Sequence, residues 1–219
     1  MIKTAPWWIL EHCQTALVKY ETFHKILTFI LDKNAPLKKI HVKSNRPYWM
    51  TNEYCKIPEV KPMDKSENSR SLGVLIDFGK LRILDLGDLT WDKEMQFMCP
   101  VNRIGRINIL VVSHHGMIPS SSHALVDAIH PRVAIMDNGA TKGGSTPVLE
   151  TINEIPGLET LWQLHYSEQG GTEHNTGGEY IANLQGPDQG NYLVLTASPT
   201  GSFTVFNSRT NSTKTYPAR

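Results

Sequence analysis

Long apolar runs, an excess of charge of either sign and a paired-cysteine framework are all missing from this chain of 219 residues. The N-terminal apolar stretch is interrupted by Glu11, His12, Lys19, Glu21, His24 and Lys25, which excludes a membrane span there. No basic region, apolar run and small-residue cleavage site follow one another at the start, so the chain reads as cytoplasmic. Lys and Arg number 22 against 21 Asp and Glu, a formal net charge of +1. That balance gives no indication of nucleic-acid binding and no acidic solvating tail. The three cysteines, Cys13, Cys55 and Cys99, are odd in number and far apart, which argues against a disulfide framework and against a zinc knuckle. Cys99 is expected to be a small apolar filler. Histidines number nine and are scattered, with one exception, the adjacent pair His114-His115.

What is present is a series of short, well-punctuated segments. Apolar residues recur at three- and four-residue steps from Trp8 to Leu31, predicting an amphipathic helix. Residues 43–71 are polar and rich in Pro, Lys, Glu, Ser and Asn, and read as a long surface loop. Leu72–Phe78 and Leu81–Leu86 flank Gly79-Lys80 as a hairpin. A short helix is expected at 92–98 and a strand buried on both faces at 107–112. A serine-capped helix follows at 120–129 and a strand at 132–136. A helix then opens on Thr146-Pro147, and a further strand covers 158–165. Residues 170–178 read as loop, and 191–197 with 202–207 as a last hairpin. Alternating strands and helices indicate a layered α/β domain, with 1–219 taken as one domain: a helical N-terminus at 1–42, the loop at 43–71 and the layered part at 72–219.

The chemistry concentrates in Leu81–Gly116, LRILDLGDLTWDKEMQFMCPVNRIGRINILVVSHHG. Two apolar strands each end in a metal-binding residue type, the first in Gly87-Asp88 and the second in Ser113-His114-His115-Gly116. A carboxylate just past a buried strand can bridge two metal ions, or it can close its own turn. Two adjacent imidazoles after a buried strand are either ligands or exposed loop residues. Asp85, inside the strand pattern, is expected to be structural. Lys142 in Lys142-Gly-Gly meets an anionic substrate or sits in a turn, and His165 and His174 flank a polar loop.

These motifs resemble the metallo-β-lactamase-fold superfamily, and within it the hydrolase-like domains of DNA-uptake proteins. The residues that carry the resemblance are LDLGDLTW, CPVNRIG, the histidine pair, PRVAIM, NGA, KGGS, LWQLHY and the terminal TYPAR, over roughly Asn52 to Arg219. The resemblance implies a partial four-layer αββα sandwich in which a long amphipathic helix replaces the N-terminal part. It implies zinc, two ions in intact relatives, with Asp88 as the bridging carboxylate and His115 as a ligand of the second metal. His114 and Lys142 are then outside the ligand set or face substrate.

The same resemblance sets a condition that the chain fails. A His-x-His-x-Asp-His motif is required near the start; His12, His24 and His41 are isolated instead. The expectation is therefore an N-terminally truncated metal-dependent hydrolase that cleaves ester, amide or phosphodiester bonds in intact relatives. In this chain, weak or absent zinc binding and little or no turnover are expected, since zinc sites use three or four protein ligands. Expected partners are a small-molecule or phosphoester substrate in those relatives, with no nucleic acid and no membrane. The alternative is a non-catalytic binding or homo-oligomerising module that uses apolar surface left exposed.

Overall fold

The computed structural model of the chain describes residues 64–219, all within one compact unit. The predicted helix at 8–31, the pair Trp7-Trp8, His12, His24, His41 and most of the 43–71 loop lie outside the described residues. The last turn of that loop is a 3-10 helix, Glu67–Arg70, capped by the Ser66 hydroxyl, which accepts from the Asn68 amide.

A six-stranded, mostly parallel sheet forms the centre. Its strands are β1 (Val74–Phe78), β2 (Leu81–Asp85), β3 (Ile109–Val111), β4 (Val133–Met136), β5 (Thr160–His165) and β6 (Ile181–Asn183). They lie side by side in chain order. β1 and β2 form the predicted antiparallel hairpin, Phe78 opposite Leu81, and every later neighbour is parallel. A right-handed crossover between successive parallel neighbours carries each connecting helix to the same face. The helices are α1 (Trp91–Met98), α2 (His123–Ile129), α3 (Thr146–Asn153) and the single turn α4 (Gly171–His174).

Strand alternation divides the apolar residues between two cores. Leu84, Leu110, Ala134 and Leu161 meet Met98, Leu125, Ile129, Leu149 and Ile152 of the helices. Their neighbours in sequence, Ile109, Val133 and Trp162, point the other way with Leu81. There they pack on Phe203, Val205 and Tyr216 of a second, antiparallel sheet, β7 (Leu193–Ala197), β8 (Phe203–Asn207) and β9 (Ser212–Tyr216). Phe203 and Tyr216 stack at 4.6 Å, and the Trp162 indole donates to the Tyr216 hydroxyl at 2.9 Å.

The described residues therefore form three layers, helices on a mixed sheet on an antiparallel sheet. The expected α/β class is what is found; the fourth layer of an αββα sandwich is not among them. Two smaller corrections concern 170–183. The expected loop contains the turn α4 and a 3-10 turn at Gly178–Tyr180, and β6 follows. Ile-Ala-Asn is three residues long and pairs with β5 at only two positions, too little pattern to see in a sequence. Cys99 is not a free apolar filler: it is disulfide-bonded, while still packing beside the helix-side core.

Candidate functional site

In a parallel sheet every strand delivers the loop after it to the same edge, where ligands commonly bind. Three adjacent strands do so here. Asp88 follows β2, His114 and His115 follow β3, and Asp137 follows β4 at once. The segment between β3 and α2 is tied to the β2 loop by the His114 amide, which donates to the Gly87 carbonyl at 2.9 Å. Asp85 closes the turn before Asp88, its carboxylate accepting from the Gly87 amide at 2.9 Å, which is the structural role expected of it.

The two imidazoles present their Nε2 atoms to one carboxylate. His114 Nε2 lies 3.9 Å from Asp88 Oδ2, and His115 Nε2 lies 3.9 Å from Asp88 Oδ1. At that length neither is a hydrogen bond. The far ring nitrogens are held. The Ser120 hydroxyl donates to the Leu89 carbonyl at 2.6 Å, so it meets His114 Nδ1, 3.4 Å away, as an acceptor. Nδ1 then carries the proton, and Nε2 is an unprotonated nitrogen that accepts from the Asn68 side-chain Nδ2 at 3.2 Å. His115 Nδ1 stands 3.2 Å from both the Asp137 carbonyl and one Asp137 carboxylate oxygen. Both are acceptors, so its proton is on Nδ1 as well and its Nε2 is bare.

The backbone that makes this possible is strained. His114 (φ 53, ψ 40) and His115 (φ 55, ψ 18) are both left-handed, a conformation that costs about 1–3 kcal/mol for a non-glycine residue. It is retained because the surroundings specify it. The Gly144 amide donates to the His115 carbonyl, and the Ser145 amide and hydroxyl both donate to the Gly116 carbonyl. Gly143 lies against His115 so closely that an added Cβ would fall 2.0 Å from its carbonyl oxygen. The Lys142-Gly-Gly segment is thus a turn that braces the histidine pair. Lys142 itself is exposed, with its carbonyl closing the turn on the Gly139 amide.

Burial separates the two histidines. The His114 side chain is 9% exposed, His115 is 30% and Asp88 is 40%. Asp64 has its carboxyl held below the usual carboxylate range by hydrogen bonds from the Ser66 hydroxyl and backbone amide. His165 and His174 do not join the group. His165 ends β5, where its carbonyl accepts from Asn138, and His174 pairs with Glu150 of α3 at 3.6 Å.

The geometry places Asp88 beside His114 and His115 and adds three residues that the sequence did not single out: Asp137, Asn68 and Ser120. Asp137 was findable by the rule that picked Asp88, since it too follows a buried parallel strand. Asn68 and Ser120 carry no local signal. Among the described residues no set of three or more His, Cys, Asp or Glu side chains is arranged to hold a metal ion. The donors fit a metal in chemistry, as bare Nε2 atoms backed by hydrogen-bonded Nδ1 atoms, and fall short in number and convergence.

No protein-family model matches the chain. It is similar to Recombination protein 2 of Haemophilus influenzae, 36% identical over 75 residues. The matched stretch is 34% of this chain and 9% of that protein, so the chain accounts for only a small part of that relative's length. These findings overturn the assignment to the metallo-β-lactamase superfamily: the motifs that suggested it match no family model, and the similarity found is to a recombination protein over one third of the chain.

Proposed function

We propose that the carboxyl edge of the parallel sheet is a partial metal-dependent hydrolytic site, of the kind that cleaves ester, amide or phosphodiester bonds, and that this chain by itself is not a competent catalyst. The observation that supports the reading is the carboxylate of Asp88 facing two bare imidazole nitrogens at 3.9 Å each. Left-handed strain at both histidines is the second support, since such strain is kept where a side chain must be aimed. Zinc is the expected ion; Asp88 and His115 would hold it, with His114 beside them, which falls short of the three or four ligands a zinc site uses. When bound, a divalent ion supplies Lewis acidity and a more acidic water. The residues do the rest: Asp137 and Ser120 fix the two Nδ1 protons, and Asn68 fills the space beside His114 Nε2. Two ligands without a third give weak binding or none.

The experiment is hydrolysis of bis(4-nitrophenyl) phosphate by the full chain with added zinc. No turnover above buffer is expected. Turnover that disappears in Asp88→Ala would contradict the claim that the site is incompetent.

A second reading, a non-catalytic oligomerising module, is favoured by β1. All five of its residues are exposed, and Val74, Leu75, Ile76 and Phe78 are apolar, next to Leu72 at 81% exposure. Edge strands usually carry charge or proline against pairing, and this one has only Asp77.

A further inference from the structure

Glu94 is fully buried on α1, and among the described residues no cation pairs with its carboxylate. One oxygen accepts from the Ser121 amide at 2.7 Å and the other from the Ser122 amide at 2.8 Å. These two residues end the segment that begins at the histidine pair. Ser121 is left-handed (φ 60), and Ser122 caps α2. Ser120, next to them, is the residue whose hydroxyl bridges Leu89 and His114 Nδ1. The Trp91 amide donates to the Pro119 carbonyl, a third tie between the start of α1 and this segment. We propose that Glu94 is the positioning residue of His114: by clamping Ser121 and Ser122 it seats Ser120, and Ser120 holds the imidazole in the single tautomer that leaves Nε2 bare on the side of Asp88.

A structural role alone does not call for a carboxylate here. Two adjacent backbone donors need two acceptor oxygens, and an ionised carboxylate is the side chain that offers both. The cost is the charge. Burial pushes the Glu94 carboxyl up to about 7, against the pull of the Ser122 and Ser121 hydrogen bonds, and Asp92 on the same helix adds to the rise. The facing segment Ser120–Ser122 brings no charge, and His123 beyond it pairs with Asp127 at 3.7 Å.

This role concerns the same imidazole as the proposed site but needs neither metal nor turnover, so its failure and that reading's failure are separable. The test is the ring-nitrogen spectrum of His114 and His115 in the full chain, well above neutral pH, with amide exchange at Ser121 and Ser122. Glu94→Gln keeps the shape and turns one acceptor into a donor. The Ser121 or Ser122 amide should then exchange at least about tenfold faster, the loss of one hydrogen bond to a charged group. His114 should become a mixture of tautomers while His115, held by Asp137, stays unchanged. Glu94→Asp, which keeps the charge, should retain more of the single tautomer than Glu94→Gln. Ser120→Ala should mix the His114 tautomers with Ser121 and Ser122 still protected, and it carries the test if Glu94→Gln does not fold. A single His114 tautomer in Ser120→Ala, or in a folded Glu94→Gln that has lost amide protection, overturns the proposal. So does an equal change in both rings.

Discussion

His114, His115 and Gly116 turn left-handed in succession, with φ of 53, 55 and 78. Two of the three are paying for a conformation that glycine adopts freely. The turn is held from outside by the Gly143–Ser145 backbone, and Gly143 is the position where contact is tightest. Gly143→Ala adds a Cβ at a φ of 81 and drives it into the His115 carbonyl. We expect a loss of at least about 2 kcal/mol in urea unfolding, from the backbone strain and the clash together. The His115 ring resonance should shift with it. An alanine variant of wild-type stability would show that the turn does not brace the pair. Replacing exposed Lys142 by alanine should leave stability within about 0.5 kcal/mol, as for surface sites without buried partners.

At the scale of elements, α1 and the segment before α2 meet through Glu94, and that contact predicts a pH dependence. Burial raises the Glu94 carboxyl in the folded protein to about 7, against an ordinary value of 4.5 when it is exposed to water. Between those values the folded state binds more protons than the unfolded chain. Stability from this group is therefore full below 4.5, declines as pH rises to 7 and stays low above it. The integrated change is about 3 kcal/mol. Urea unfolding of the wild type should show that decline, and Glu94→Gln should flatten it. An identical slope in both proteins would remove Glu94 as its source. The contact between the two sheets makes a separate prediction. Tyr216→Phe leaves the buried Trp162 indole without its acceptor, and should cost about 1–3 kcal/mol.

Much of the layered architecture was legible because its strands are short, apolar and bounded by turn residues. Gly79-Lys80 set the first hairpin, and Pro147 marked the start of α3. Asp88 and the histidine pair were legible for the same reason: each closes a buried strand, and parallel strands bring their ends together. The environment of those residues was not. Glu94 looks in sequence like the acidic first turn of a helix, and only the fold shows it fully buried against Ser121 and Ser122. The family assignment failed because strand-end motifs repeat across many α/β proteins, whereas the ligand set they imply depends on residues from elsewhere in the chain.

For the whole molecule, the exposed β1 edge and the incomplete donor set point in different directions, to self-association and to residual metal chemistry. Light scattering of the full chain distinguishes the first. If β1 pairs with another copy, Ile76→Lys, which places a charge at the centre of the strand, should reduce the apparent mass to that of a monomer. Among the described residues no helix is long and apolar enough to cross a membrane. The central claim is that Asp88, His114 and His115 form one partial site, and zinc titration of the full chain, followed at the histidine ring nitrogens, tests it most directly. Weak binding that perturbs Nε2 of His114 and His115 together, and that is lost in Asp88→Ala, is the predicted result. Zinc that leaves both rings unperturbed, or that binds equally well without Asp88, would contradict it.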